Sequence, residues 1–415
     1  MQRYTEYKPT SIQWLSEIPS HWEEKRAKYL FNKENRLPKE SDEVITCFRD
    51  GTVTLRKNRR TTGFTESFKE IGYQGIKMGD LVIHQMDAFA GATGVSDSDG
   101  KGTPVYSVCT PKDNTIITQY FAKVIRHMGL NGFIQSLYRG IRERSSDFRF
   151  ETFARQTLPV PPLPEQEKIV RYLDRKTSII DEYIIGLINE LDLYRELIES
   201  IIFSKNPTDK ITFTSWELFF DNTWKKELGK GLFEEVEIKG NSDERFLAVT
   251  QDNGLIYKDV DGINFVTAEK KETQKLICPG EFVISLRSFE GGIEYSTIKG
   301  LISPAYVVLK LKEKYNTKKY QMYFRFLFKS VPFIRRLNTV SDSMRDGKSI
   351  KFSDIKHLPF PLPSEEKLNE IYKLSAIYDI KKQALAKKKE LLEQYKQRLI
   401  ADCVTGQINV QNINN

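Results

Sequence analysis

The sequence predicts an α+β protein: two similar globular domains of mixed short strands and helices, separated by two long helices that pair as an antiparallel coiled coil. Three observations predict it. A proline-rich run leads straight into a long helical pattern at Leu158-Pro-Val-Pro-Pro-Leu-Pro164, and again at Leu358-Pro-Phe-Pro-Leu-Pro363. The residues ahead of the two runs follow the same order of motifs. Behind each run, apolar residues recur on a coiled-coil spacing.

The N-terminal stretch carries Trp14 and Trp22, and two tryptophans suit an arm pinned onto a core. From Glu43 the pattern turns to short alternating runs, Val44–Phe48 and Thr52–Leu55, around Asp50-Gly51, which is a hairpin signal. Further strands are expected at Gly79–Ile83 and Val105–Val108, and a helix over Gln119–Leu137. The second half repeats this order. Trp224–Phe233 echoes Trp22–Phe31, Phe246–Thr250 with Asn253-Gly254 echoes the hairpin, and Gly280–Ile284 echoes Gly79–Ile83. Ser303-Pro304 through Val308 matches Thr103-Pro104 through Val108 without a gap, and a helix is expected over Lys319–Phe328. A repeat this long is a duplicated domain, not a solenoid.

Prolines fix φ and disfavour helix at the preceding residue, so each proline run is a stiff extended lead-in. Acidic residues directly behind it, Glu165 and Glu167 in one copy and Glu365 and Glu366 in the other, suit a helix N-terminus. In the first helix Ile180, Ile184, Leu187, Leu191, Tyr194, Ile198 and Ile201 alternate steps of four and three. In the second, Leu385, Leu392, Tyr395 and Leu399 keep the heptad, interrupted by Lys381 and Lys388. Patterns of this length imply helices of ~60 Å. Two such seams bury each other most simply as an antiparallel pair. The division expected is residues 1–164, a globular domain with its N-terminal arm; 165–204, a central helix; 205–363, the second domain; and 364–415, a C-terminal helix and tail.

At 415 residues the chain has room for two or three cores. No apolar run reaches membrane-spanning length, no signal-peptide core opens the sequence, and four scattered cysteines form no Cys-x-x-Cys pair. A reducing cytoplasm is the expected setting. The net charge of +8 attracts polyanions, because neutralising phosphates releases counterions.

Fragments that imitate catalytic motifs fail on inspection. Gly100-Lys-Gly-Thr103 lacks the glycine that would complete a phosphate loop, and Gly229-Lys-Gly231 follows no strand. Asp221 with Glu237 and Lys239 has the residue types of a metal-dependent nuclease strand, but such triplets are common in a chain with 29% charged residues. No metal spacing and no nucleophile–base pair is readable. Basic clusters in polar loops remain. Arg56, Lys57, Asn58, Arg59 and Arg60 follow the first hairpin, with Gln85 further on and Arg139, Arg142, Arg144 and Arg149 at the end of the first copy. The second copy offers Arg287, Arg345 and Lys348, besides Lys270, Lys271, Arg335 and Arg336. Their comparable placement in both copies favours a nucleic-acid face, with arginine suited to guanine, Asn and Gln to adenine, and most other basic groups to phosphate.

Three motifs in the right order now carry a resemblance. Trp14 with Ile18-Pro-Ser-His-Trp22, the joint Leu158–Gln166, and Tyr395–Ile400 with Val404-Thr-Gly-Gln-Ile408 resemble the opening, central and C-terminal regions of specificity subunits of type I restriction–modification systems. The second joint departs, with Ser364-Glu-Glu366 and one proline fewer. The resemblance implies two target recognition domains, each reading one half of a bipartite site in double-stranded DNA. The helices would set half-sites one to two turns apart, at ~34–36 Å per turn. It implies docking of two modification subunits, which bring S-adenosylmethionine, and of restriction subunits that use ATP and Mg. It places no cofactor and no catalysis in this chain. A stand-alone methyltransferase or nuclease with a fused recognition module is the alternative, and it lacks its motif.

Overall fold

The computed structural model describes residues 2–59, 71–137, 147–204, 216, 218–239, 243–251, 254–258, 271–286, 288–340, 350–411 and 413. They form two compact units, Met1–Ile184 with Lys388–Asn415, and Ile185–Lys387. The units thus divide the chain within the long helices, whereas the four-segment reading of the sequence divides it at their ends.

In the first unit, strands β1 (Phe31–Lys33), β2 (Leu81–His84), β3 (Thr93–Val95) and β4 (Tyr106–Pro111) form an antiparallel sheet in the order β1-β4-β2-β3. Side chains alternate between the faces of a strand, and here both faces are covered. Leu81, Ile83 and Cys109 join the main core, while Val82 and Val108 join a smaller one with Ile45, Cys47, Val53 and Ile76. That smaller core lies under the expected hairpin, Ile45–Cys47 paired with Val53–Leu55. Helix α1 (Thr118–Leu130) buries Tyr120, Phe121, Val124, Ile125 and Met128, one helical face, in the main core. Gly132, at φ +82°, ends this run earlier than the sequence pattern suggests, and a separate turn follows at Phe133–Ser136. The long helix α2 covers Leu163–Ile202.

The second unit repeats each part. Strands β5 (Phe233–Val236), β6 (Phe282–Ile284), β7 (Glu294–Tyr295) and β8 (Val307–Leu311) take the order β5-β8-β6-β7. Phe282, Ile284 and Leu309 face the large core, and Val283 and Val308 the small one beneath the hairpin Leu247–Thr250/Gly254–Tyr257. Helix α3 (Lys318–Lys329) stands where α1 stands in the first copy, and α4 (Glu365–Val404) is the second long helix. The proline runs are strands: Thr157–Val160 pairs with Glu23–Arg26, and Pro359–Leu362 with Lys225–Leu228.

The joints differ between the copies. In the first, Glu165 is buried and accepts from Trp22 Nε1 at 3.0 Å, from His21 Nε2 at 2.8 Å and from the Tyr4 hydroxyl. Gln166 beside it accepts from Ile117 N–H at 2.9 Å and donates to the Thr115 and Pro161 carbonyls. The first turn of α2 therefore clamps the N-terminal arm and the lead-in to α1. In the second copy Glu365 is exposed and pairs with Lys319.

Within the first unit the long helices run antiparallel: Asp181 takes the Lys396 ammonium at 2.6 and 2.8 Å, and Tyr183 takes Lys388. Within the second, Lys381 bonds Glu190 at 2.6 Å and sits 5.1 Å from the centre of the Tyr194 ring. The lysines that interrupt the heptad are thus satisfied across the helix pair. Ile180, Ile184, Ile198 and Leu399 are buried, while Leu187, Leu191, Tyr194, Leu385 and Leu392 are half-buried. Tyr395 corrects the expectation. It is 47% exposed, whereas Lys396 next to it is held across the helix pair by Asp181.

Candidate nucleic-acid interface

In the first copy the chain leaves the hairpin through a short helical turn, Arg56–Asn58. Its side chains are held by residues of the hairpin and of the stretch just before it. Lys57 pairs with Glu43 at 2.5 Å, Asn58 donates to Thr54 Oγ1 at 2.8 Å, and Arg56 Nε lies 3.4 Å from Thr46 Oγ1. Arg59 reaches back over the hairpin turn, bonds Asp50 at 2.6 Å and lies 4.5 Å from the centre of the Phe48 ring. Partial burial pushes the Asp50 carboxyl up, but bonds from Thr52 and Arg59 outweigh it and hold the group below the ordinary carboxylate range. Gln85 donates to Ser107 Oγ at 3.3 Å, and Arg149 pairs with Asp147 at 2.7 Å. Arg60, Arg139, Arg142, Arg144, Lys270, Arg287, Arg345 and Lys348 lie outside the described residues.

Sequence reasoning passed over Arg49, in the turn itself, which pairs with Asp87 at 2.8 Å while its side chain stays 66% exposed. It also passed over Arg245 and Lys258 at the second hairpin, where Lys271 was among the expected basic residues. Arg245 lies 3.9 Å from the centre of the Tyr257 ring, and Lys258 and Lys271 lie 5.7 and 5.8 Å from that of Phe246. Both copies therefore present a hairpin whose aromatic rings carry cations. Such surfaces suit phosphate for the charge and bases for the rings. The missed signal was a basic residue on either side of a hairpin aromatic, which becomes visible only when both are placed on one strand pair.

The rejected fragments have structural roles, and Gly229-Lys-Gly231, expected to follow no strand, comes directly after the strand Lys225–Leu228 as a short helical turn. Gly100–Gly102 is a buried strand paired with Gln74–Ile76. Asp221 closes a turn on Thr223, while Glu237 pairs with Lys239 at 2.7 Å. Among the described residues no cluster of three metal-ligating side chains occurs, and no helix is long and apolar enough to cross a membrane.

No protein-family model matches the chain. A curated protein of Methanocaldococcus jannaschii, assigned as the specificity subunit of the type I restriction enzyme MjaX, is 22% identical over 443 residues, and the match covers 99% of both chains. The chain is similar over its whole length to a type I restriction enzyme specificity subunit. Among solved structures, a chain from a study of complex assembly and conformational transition of the type I R-M system superposes with a TM-score of 0.55 at 14% identity, over 94% of this chain and 99% of that one. The likeness is one of fold. A weaker one, TM-score 0.44 at 14% identity, relates 95% of this chain to 99% of the S subunit of the type I system of M. genitalium. The duplicated domain and the paired long helices are the architecture the sequence predicts.

Proposed function

We propose that this chain is the DNA-recognition subunit of a type I restriction–modification complex, with each globular copy reading one half of a bipartite site. The observation that carries the reading is the pair of equivalent hairpins, each presenting cations on aromatic rings above a sheet of the same strand order. The full-length similarity supports it. The long helices act as spacer and as the docking surface for other subunits of the complex. Apolar side chains exposed along them, among them Ile185, Leu193, Ile380 and Leu391, supply that surface. Two modification subunits would dock there and bring S-adenosylmethionine. Restriction subunits would bring ATP and Mg, leaving this chain without catalysis, and the assembly would work in the cytoplasm.

The test exchanges residues 37–157 for the equivalent domain of another specificity subunit and maps adenine methylation in the genome. A change confined to one half of the recognised site supports the reading. Altered bases in both halves, or none in either, would overturn it.

A further inference from the structure

The second unit holds a cleft of about 560 Å³ lined by α3, the flanks of α2 and α4, and the hairpin residues Gln251 and Gly254. Its charges are unevenly matched. Arg325 forks onto Asp379 at 2.7 and 2.8 Å, and Lys329 bonds the buried Glu294. Among the described residues the carboxylate that Arg195 meets is Glu199 of its own helix, at 3.9 Å. Lys382 stands beside these groups, and among the described residues no carboxylate or carbonyl pairs with its ammonium. Among the described residues four cations thus meet three carboxylates, Asp379, Glu294 and Glu199. The corresponding cleft of the first unit sets Arg126, Lys396 and Arg398 against Asp50, Asp181 and Glu393, an even balance. The imbalance is particular to the second unit.

Burial lowers the pKa of the Lys382 amine, and Arg325 beside it adds to the effect, with Asp379 and Glu294 opposing. A half-desolvated ammonium next to a guanidinium is costly unless an anion joins it. The occupant must also be compatible with Gln251, which sits at the turn of the hairpin that carries Arg245 and Tyr257. A polyanion lying along that hairpin satisfies both demands.

We propose that the Lys382 cleft binds a backbone phosphate of the DNA duplex that the second copy reads, which rests on the function proposed above. Such a contact anchors the duplex and carries no base information. The ammonium and the Arg195 guanidinium at the rim supply the donors, while Arg325 and Lys329 stay committed to Asp379 and Glu294.

The test measures binding of the complete chain, in its assembled complex, to a duplex carrying the mapped target and to an unrelated duplex of equal length, over a series of salt concentrations. Lys382→Gln should weaken both about tenfold and reduce the slope of log K against log salt by about one. Lys382→Arg should restore both. Arg195→Gln, at a side chain 53% exposed, should reduce the slope as well. Unchanged affinity and slope in Lys382→Gln would overturn the inference. So would a loss confined to subunit assembly, which would make the cleft a seat for a protein carboxylate. A wild-type complex that binds neither duplex would overturn the proposed function instead.

Discussion

Glu165 accepts the indole N–H of Trp22 at 3.0 Å, across 143 positions of sequence. The same carboxylate, 3% exposed, also takes the Tyr4 hydroxyl, so one acidic side chain at the start of a long helix fixes two points of the N-terminal arm. Burial and the bond to Glu165 push the Tyr4 hydroxyl far above the usual tyrosine range, so it remains a donor throughout the neutral range. Glu165→Ala leaves buried donors without an acceptor. It should cost ~3 kcal/mol, and Glu165→Gln about half of that, because an amide oxygen can still accept. Denaturant unfolding followed by tryptophan fluorescence checks both, and equal costs would show that the charge, not the retained acceptor, carries the contribution.

Gly406 lies at φ +75°, and a Cβ there would stand 2.4 Å from the Pro19 ring. Gly406→Ala should therefore lower stability by ~2–4 kcal/mol, through backbone strain and the lost approach of the arm. Thermal unfolding measures it, and a shift below one degree would contradict the packing described.

The helix pair sets a contrast between burial and charge. Ile184, 6% exposed, cannot take a carboxylate, so Ile184→Asp should cost ~3–5 kcal/mol and prevent assembly of the complex. Lys396→Ala breaks a pair whose Asp181 side chain is 49% exposed, and should cost no more than ~1 kcal/mol. The two variants compared by chemical denaturation separate the contributions, and similar losses would refute the seam.

His127 packs 5.7 Å from the Trp14 ring, and His84 sits against Tyr106. Burial lowers the pKa of both below 6.5, with Asp402 opposing at His127 and Asp87 at His84. Between the lowered folded value and 6.5 the unfolded chain binds more protons, so this contribution is fully present above about pH 6.5 and is lost as pH falls below it. Melting temperatures measured from pH 7.5 to 5 should fall less steeply in His127→Gln than in the parent chain. A slope unchanged by the substitution would show that His127 titrates normally.

The fold was legible because its signals are periodic. Alternation around Asp50-Gly51 and the four-and-three spacing from Ile180 to Ile198 depend on which side chains leave water, and burial follows those positions closely. Tyr395 was misread because a heptad count treats every aromatic as a seam residue. Pairing of Lys396 with Asp181 depends on a partner more than 200 positions away. The interface was less legible for the same reason. Arg59 over Phe48 and Arg245 over Tyr257 are non-local geometries, and a basic loop in a sequence does not say which ring or carboxylate its cations meet.

The first unit is built from both ends of the described chain. Tyr7 donates to the Gly406 carbonyl at 2.8 Å, and Asn409 N–H donates to the Gln2 carbonyl at 2.9 Å, while the second unit is one continuous segment. Domains generally fold as units during synthesis. The order of birth is therefore not the order of completion. The second unit can close once Lys387 has cleared the ribosome, whereas the first waits with its hydrophobic surface uncovered until Val410 arrives. A nascent chain stalled between those points carries one finished unit and one whose core still lacks its C-terminal share.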